Sequence, residues 1–264
     1  MMKIFDTHAH YDDDRFDEDR DILLGGKIRE ELENASHVEL ITNIGCTMET
    51  SRQSVEFAKK YDYMYATIGV IPHHVDEMKD EDIEELKSLA KGCDKVVAIG
   101  EIGLDYYYDE PARELQHKWF LRQMELAGEL KLPLVIHSRD AAQDTFELMK
   151  QAHAEEIGGV VHCYSYTEEM AKQFLKLGFF FGIGGVVTFK NSKKLKQAVK
   201  SIPLDHIVLE TDSPYLTPSP HRGERNDSRY LTYVIEEIAR LKEITPEEVA
   251  EATFENAKKL YRLA

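Results

Sequence analysis

Histidine and carboxylate side chains close the short apolar runs of this sequence. The runs VVAIGE, LVIH, VVH and IVLETD each end on such a residue, and the opening run IFDTHAH carries two histidines. The residues concerned are His8, His10, Glu101, His137, His162 and Asp212. Apolar runs of this length are typical of buried strands, and imidazole and carboxylate groups are ligands of divalent metals. The pattern predicts a metal-binding site assembled from strand ends.

Each of these residues also has a plain structural interpretation. A His-x-His pair arises easily by chance, but alternate residues at a strand end point to one face, so His8 and His10 can reach one ion. Glu101 follows a run that buries its carboxylate at a large cost unless a salt bridge or a metal compensates. His137 or His162 alone could be a core histidine bonded to backbone. Two histidines at equivalent strand ends are better explained as metal ligands.

Two carboxylates lie close together at the last of these runs, in the segment ETDSP at 210–214. Asp212 is the better candidate for a ligand and proton acceptor, because it lies at the loop edge of the strand and Pro214 ends the ladder. Glu210 shares its side of the strand and could be either a ligand or a support for one. Glu101 and Asp212 are therefore the candidate catalytic residues.

The six candidate ligands suffice for two adjacent ions with one carboxylate between them. Imidazole together with carboxylate suits zinc or manganese, and magnesium is less natural at the histidine-rich position. Two ions about 3.5–4 Å apart activate water and stabilise the charge that develops on a phosphoryl or acyl group. The chemistry predicted is hydrolysis with two divalent metal ions.

The elements that must position these residues alternate along the whole chain. Segments that predict strands lie at 3–7, 38–43, 64–69, 96–100, 133–136, 159–161, 179–183 and 206–209. Segments that predict helices lie at 19–34, 49–61, 80–90, 114–131, 141–154, 168–177, 192–200, 230–242 and 246–261. Such alternation favours one parallel sheet covered by helices, and eight units favour closure. We predict an α/β fold, a (β/α)8 TIM barrel in one domain (1–264), whose active site lies at the carboxyl ends of the strands.

Composition and cysteine content agree with such a core. The chain has 264 residues, of which 42% are hydrophobic, so a disordered chain is excluded. Cys46, Cys93 and Cys163 are odd in number and widely spaced, which predicts neither a disulfide framework nor a thiolate zinc cluster. The first residues lack a long apolar stretch, and the longest apolar run (179–189) is too short to span a membrane. We expect a cytoplasmic protein without a membrane partner.

The formal net charge of −16 argues against nonspecific binding of a polyanion, so any nucleic acid must be held locally. Two basic stretches, at 190–200 and 221–225, could provide local contacts. Their charge pattern is also that of a solvated helix face and a polar loop, and this interpretation is favoured. Bound divalent cations offset negative charge at a site.

Five motifs occur together in a characteristic order. They are DTHAH (6–10), GEIGLDY (100–106), VIHSRDA (135–141), HCYS (162–165) and ETDSPYLTP (210–218). In this order and spacing the chain resembles the TatD family of metal-dependent deoxyribonucleases, within the amidohydrolase-like barrels. The resemblance extends over nearly the whole chain, including PHRGERN (220–226) and the terminal Asn256-Ala257.

The resemblance implies a metal-dependent hydrolase barrel with a defined set of ligands. The first ion would be held by His8, His10 and Asp212, the second by His137 and His162, and Glu101 would bridge them. Members are Mg²⁺- or Mn²⁺-dependent DNases, often exonucleases, so the implied substrate is a phosphodiester in single-stranded DNA or at duplex ends. We expect a monomer without an obligate protein partner.

Substrate contacts are less sharply indicated. With a DNA substrate, Arg139, Arg222 and Arg225 are candidate phosphate contacts, because guanidinium pairs bidentately with phosphate. The alternative interpretation is that these arginines form surface ion pairs within an acidic chain.

Two departures from the family pattern bear on the substrate. Ile71 stands where relatives usually have a histidine, so either His73 or His74 takes over its role or no residue does. Of the two, His73 is the candidate substrate contact. Tyr166 stands where a small residue is usual, and its ring could stack on a base or narrow the mouth.

Two other functions compete with a nuclease. An amidohydrolase or lactonase of the same barrel class would act on a small acyl substrate, but such barrels commonly bridge their metals with a carbamylated lysine where this chain has Glu101. A noncatalytic scaffold with a structural zinc would have a closed tetrahedral site, whereas this ligand set leaves room for water. The glutamate at position 101 and the open ligand set both favour the nuclease.

Overall fold

Eight parallel strands form the sheet of this protein, whose computed structural model describes residues 2–32 and 36–264. The strands are β1 (Met2–Ala9), β2 (Ser36–Ile44), β3 (Met64–Ile68), β4 (Val96–Asp105), β5 (Leu134–Arg139), β6 (Gly159–Val161), β7 (Phe180–Ile183) and β8 (Ile207–Leu209). They are hydrogen-bonded in chain order from β1 to β8. A parallel bridge between Ala9 and Ser213 then joins the two ends of the sheet. The predicted (β/α)8 barrel is confirmed.

Helices follow the strands around the outside of the barrel. They are α1 (Arg20–Leu24), α2 (Met48–Lys60), α3 (Asp80–Lys91), α4 (Arg113–Leu130), α5 (Ala142–Gln151), α6 (Ala154–Ile157), α7 (Glu168–Lys176), α8 (Lys193–Ser201), α9 (Leu231–Lys242) and α10 (Pro246–Leu260). Among the described residues, no helix is both long and apolar enough to cross a membrane.

Two predicted helices differ from the structure, and three strands run at least two residues past their predicted ends: β1 to Ala9 instead of residue 7, β5 to Arg139 instead of residue 136, and β4 by the largest margin. The helix expected at 19–34 is wrong, because α1 is short and Gly26 takes a φ of 148° that ends it; positions 33 and 34 lie outside the described residues. The helix expected at 141–154 is two helices, separated at His153, whose φ of 53° is left-handed. Strand β4 continues to Asp105 instead of ending at residue 100.

The last helix covers the seam between β1 and β8. Helix α10 begins with a capping box, in which Thr245 Oγ1 accepts from the backbone N–H of Glu248 at 3.2 Å. Near its other end, the Tyr261 hydroxyl donates to the carbonyl of Thr7 at 2.7 Å. Asn256 Nδ2 donates to the carbonyl of Ile207 at 2.8 Å. The helix thereby holds together the two strands that bring His8 and Asp212 to one place.

Glycine lets β4 and β5 approach closely behind the candidate site. Gly103 pairs with His137 in the ladder and has a φ of 151°. A Cβ at Gly103 would lie 1.9 Å from the carbonyl oxygen of His137. The close approach of these two strands therefore requires glycine at this position.

Gly103→Ala is expected to destabilise the fold by at least ~3 kcal/mol, because the methyl group displaces the backbone of His137 and strains its own. In thermal unfolding this lowers the Tm by about 10 °C. The matched control is Gly128→Ala within α4, where the nearest atom to a new Cβ is 3.6 Å away. That change should stabilise the protein by about 0.5–1 kcal/mol. Equal effects of the two substitutions would contradict the close approach.

Candidate metal centre

The fold brings all six predicted ligands together at the carboxyl ends of the strands. His8 and Glu101 lie on β1 and β4, and His137 lies on β5. The others follow the ends of β1, β6 and β8 directly or within three residues; they are His10, His162 and Asp212. Four of the six side chains are buried, and those of His137 and Asp212 are half-buried.

The Glu101 carboxylate lies at the middle of this cluster. Its Oε1 is 2.8 Å from His137 Nδ1 and 3.0 Å from His162 Nε2. Its Oε2 is 3.3 Å from His8 Nε2. One carboxylate thus contacts imidazoles from three different parts of the barrel, with each oxygen facing a different group.

Asp212 completes the cluster on the side of β1. Its Oδ1 is 3.2 Å from His10 Nε2 and 3.7 Å from His8 Nε2. The two Nε2 atoms of His8 and His10 are themselves 3.2 Å apart. Two ring nitrogens and a carboxylate oxygen therefore converge on one point, as the ligands of a cation do.

The donor set fits divalent metal ions. Three groups have ligand atoms within 4.8 Å of one another: His8, His10 and Glu101; Glu101, His137 and His162; and His8, His162 and Glu210. The first two share Glu101, so two adjacent ions could be held with this carboxylate between them. The buried Nδ1 atom of His8 has no hydrogen-bond partner in the described chain. Nitrogen and carboxylate ligands in this mixture suit zinc, manganese or another borderline divalent ion.

The carboxylates of the cluster are charged. Burial alone would raise the pKa of Glu101, but the neighbouring charge of His162 and the hydrogen bonds of His137 and His162 hold it well below its usual value. Burial is likewise outweighed at Asp212, where the hydrogen bond with His10 and the charge of His162 lower the pKa to about 2. Both side chains are therefore ready to bind a cation at neutral pH.

The histidines differ in their protonation. Burial and the charge of His162 lower the pKa of His8. The pKa of His162 is raised well above its usual value, because Glu101 and Glu210 outweigh the effect of burial. A metal ion that binds His162 must displace this proton, so binding releases protons to solution.

Glu210, which the sequence leaves as a ligand or a support, lies behind His162. Its Oε1 is 3.4 Å from His162 Nδ1, on the ring edge opposite the nitrogen that faces Glu101. The same oxygen accepts the backbone N–H of Cys163 at 2.6 Å. A Cβ on Gly182 would lie 1.9 Å from Glu210 Oε2, so glycine leaves the room that this side chain occupies. This geometry favours the supporting position.

Asp105 supports His137 in a similar way, and sequence reasoning missed it. Its Oδ2 is 3.0 Å from His137 Nε2 and 3.1 Å from His73 Nε2. Its Oδ1 accepts the backbone N–H groups of Tyr107 and Tyr108, both at 3.0 Å. The sequence signal for Asp105 is the aspartate of GEIGLDY. Because β4 is predicted to end at residue 100, this aspartate is expected in a loop. His73, a predicted substrate contact, is thereby brought next to His137.

Cys46 and Asp6 are two further residues that the sequence did not indicate as functional. Cys46 Sγ lies 3.6 Å from Glu101 Oε2 and 3.7 Å from His10 Nδ1. The buried Asp6 carboxylate accepts from Thr211 Oγ1 at 2.6 Å and from the backbone N–H of His8 at 3.2 Å. Burial raises the pKa of Asp6 to about 7 in spite of its hydrogen bonds. Asp6 thus joins β1 to the segment that carries Asp212.

The arginines predicted to contact phosphate differ in their surroundings. Arg225 forms two hydrogen bonds of 2.7 Å with Asp19, which is the surface ion pair that the sequence leaves open as the alternative to a phosphate contact. Arg222 is exposed, with its guanidinium 3.6 Å from the centre of the Phe189 ring. Arg139 is exposed at the end of β5.

Tyr166 is tied into the wall of the barrel mouth. Its hydroxyl contacts Ser138 Oγ at 2.9 Å and accepts the backbone N–H of Ala141 at 3.3 Å. Its half-buried ring packs against the core, which favours narrowing of the mouth over stacking. The basic stretch at 190–200 is largely helix α8, and its Lys196 pairs with Glu237 at 2.8 Å. This arrangement is the solvated helix face that the charge pattern favours.

Addition of Mn²⁺ or Zn²⁺ to metal-free protein is expected to raise its Tm. An ion present at a hundred times its dissociation constant stabilises the folded state by ~2.7 kcal/mol, which is about 5–10 °C for a chain of this size. Differential scanning fluorimetry measures the shift. In Glu101→Gln the shift should be largely lost, and an equal shift in both proteins would place binding elsewhere.

The chain is similar to known metal-dependent hydrolases over almost its full length. A family model described as TatD related DNase matches residues 5–262. The uncharacterized metal-dependent hydrolase YabD of Bacillus subtilis is 43% identical, covering 98% of this chain and 99% of that protein. The uncharacterized metal-dependent hydrolase YcfH of Escherichia coli K12 is 33% identical, covering 99% and 97%. The crystal structure of YJJV, a TatD homologue from E. coli K12, superposes with a TM-score of 0.89 at 28% identity, covering 99% and 98%.

Proposed function

The chain belongs to the family of TatD-related DNases, which makes it a metal-dependent hydrolase, and on that premise we propose that it cleaves phosphodiester bonds in DNA with two divalent metal ions. The observation that carries this proposal is the Glu101 carboxylate, shared between two groups of imidazoles. A carboxylate in contact with both groups can hold two ions close together, and two adjacent ions are the arrangement that two-metal hydrolysis of phosphodiesters uses.

The proposed ligands divide into two groups. His8, His10 and Asp212 would hold one ion, and His137 and His162 the other, with Glu101 in contact with both groups. When bound, the ions supply Lewis acidity at a phosphoryl oxygen and lower the pKa of water. Glu210 and Asp105 orient the rings of His162 and His137 from behind.

Asp212 is the proposed proton acceptor. Its side chain is 20% exposed, whereas that of Glu101 is 7% exposed, so water at the mouth reaches Asp212 first. Its φ of 55° turns the residue out of the strand direction at the point where β8 gives way to the loop. The backbone N–H of Asp212 donates to the carbonyl of His8 at 2.9 Å, which fixes the carboxylate against β1.

Arg139 is the proposed phosphate contact. It lies two residues after His137, and no carboxylate of the described chain forms an ion pair with it. In an acidic chain, an unpaired arginine beside the metal ligands gives a local site for a phosphate. Arg222 is a second exposed candidate, and His73, which is half-buried, lies 3.1 Å from Asp105.

Cleavage of end-labelled single-stranded DNA in Mg²⁺ or Mn²⁺ tests the proposal. The expected result is progressive shortening from one end, which also gives the polarity of the proposed exonuclease. The same metal-loaded protein should be inactive after chelation and regain activity when the ion is restored. If no DNA is cleaved while the metal site is occupied, and an ester, lactone or amide is hydrolysed instead, the substrate is an acyl compound and the proposal fails.

A further inference from the structure

Exposed tyrosines are concentrated at the mouth of the barrel. In the described ranges, the large hydrophobic side chains that are exposed are Ile22, Tyr107, Tyr108 and Tyr215. Tyr107 and Tyr108 lie two and three residues beyond the end of β4, the strand of Glu101, and Tyr215 follows Asp212 by three residues. Burial in the core does not explain these rings, because more than half of Tyr107 and Tyr108 is in contact with solvent.

A chain of ring contacts leads from the proposed metal ligands to Tyr107 and Tyr108. The ring of His73 lies 5.9 Å from that of His137 and 5.1 Å from that of Tyr108. Tyr107 and Tyr108 meet edge to face at 5.1 Å. The single ring of His73 therefore separates Tyr108 from a proposed metal ligand, and Tyr107 adjoins Tyr108.

Arg139 joins these rings to the site. Its guanidinium lies 3.7 Å from the centre of the Tyr107 ring and 5.3 Å from that of Tyr108. Since it forms no ion pair among the described residues, the tyrosine faces are what hold it in place. Its donors remain available to an anion, and a phosphate is the anion that the proposed function brings to the site.

The backbone of the tyrosine segment is fixed in advance. Asp105 Oδ1 accepts the N–H groups of Tyr107 and Tyr108, while Oδ2 of the same carboxylate faces His137 and His73. The preceding Tyr106 is anchored by its hydroxyl, which donates to Asp144 Oδ2 at 2.7 Å. The hydroxyls of Tyr107 and Tyr108, in contrast, form no hydrogen bond within the described part of the chain. A rigid backbone that presents unbonded rings costs little entropy when a ligand binds.

We propose that Tyr107, Tyr108 and Arg139 form a platform on which an unpaired nucleobase stacks, with Arg139 on the adjoining phosphate, beside the proposed metal centre. This inference rests on the proposed function and names the substrate feature that the site recognises. Aromatic faces accept any base, because every base presents a π-face. Tyr215 differs, since its hydroxyl donates to Asp13 and its ring carries Arg15, which is itself paired with Asp13.

Kinetics on two oligonucleotides test the platform, one an oligothymidylate and the other the same strand with abasic sites in place of the bases. The double variant Tyr107→Ala/Tyr108→Ala is expected to raise KM for oligothymidylate about 5- to 100-fold, with little change in kcat. For the abasic strand, KM should change little. The double variant Tyr107→Phe/Tyr108→Phe, which keeps both rings, should behave as the wild type. Arg139→Gln should raise KM for both strands, because both carry phosphates.

Controls separate this inference from the proposed function. Ile22→Ala removes another exposed apolar side chain, on α1, and should leave both KM values unchanged. Equal KM values of the wild type for the two strands, or an unchanged KM in the alanine double variant, would overturn the platform and leave DNA cleavage intact. If metal-loaded wild type cleaves neither strand, the proposed function fails and the platform with it.

Discussion

Glu101→Gln is expected to abolish metal-dependent hydrolysis, with a loss of at least ~10³-fold in kcat, or about 4 kcal/mol. The amide keeps the shape of the side chain but removes the charge that faces His8, His137 and His162 at 2.8 to 3.3 Å. Its NH₂ group would also point a donor at a ring nitrogen that has to bind a cation. Because both proposed metal groups contain Glu101, both should lose affinity.

Steady-state hydrolysis of a chromogenic phosphodiester measures this loss, and isothermal titration calorimetry measures the accompanying loss of metal affinity. The matched control is Glu251→Gln, the same chemical change at an exposed position of α10. Circular dichroism should show the same fold in both variants. Activity within tenfold of the wild type in Glu101→Gln would exclude Glu101 as the shared ligand.

Asp212→Asn is expected to lower kcat by about 10²- to 10³-fold, because it removes the proposed proton acceptor and not the shared carboxylate. Asparagine adopts the left-handed φ of 55° found here as readily as aspartate does, so the backbone should keep its form. The substitution removes the carboxylate that faces His10 and His8, and with it the proposed proton acceptor. The group of Glu101, His137 and His162 is left intact.

Metal stoichiometry distinguishes the two variants. Equilibrium dialysis against Mn²⁺ or Zn²⁺ should give Asp212→Asn one tightly bound ion fewer than the wild type, whereas Glu101→Gln should lose tight binding at both groups. Asp212→Asn with full activity would rule out its role as proton acceptor. If Asp212→Asn lost both ions, as Glu101→Gln is expected to, the cluster would bind metal as a single unit.

The barrel and the positions of its candidate ligands were predictable because both depend on local patterns. Apolar runs identify strands, and a residue that closes such a run lies at the carboxyl edge of a parallel sheet. His137 and His162 are placed by this rule alone. The end of β4 was predicted too early because glycine usually weakens a strand, and Gly100 and Gly103 interrupt its apolar run. In the fold these glycines let β4 approach Val135 and His137 closely, and the strand continues to Asp105.

Features that depend on contacts between distant residues could not be predicted. Arg225 pairs with Asp19, which is 206 residues away, and the sequence alone could not choose between this ion pair and a phosphate contact. Glu210 and Asp212 are two residues apart and are predicted to lie on the same side of the strand. Only the position of the His162 ring shows that Glu210 lies behind this histidine. Cys46, which follows β2, likewise contacts Glu101 of β4 only in the folded sheet, 55 residues away along the chain.

The central claim is that His8, His10, Glu101, His137, His162 and Asp212 hold two divalent ions for hydrolysis. Anomalous diffraction from crystals grown with Mn²⁺, measured on both sides of the manganese absorption edge, tests it most directly. The predicted result is two peaks on either side of the Glu101 carboxylate, one bounded by His8, His10 and Asp212 and the other by His137 and His162. Peaks that lie only outside this cluster in crystals of active protein would contradict the claim.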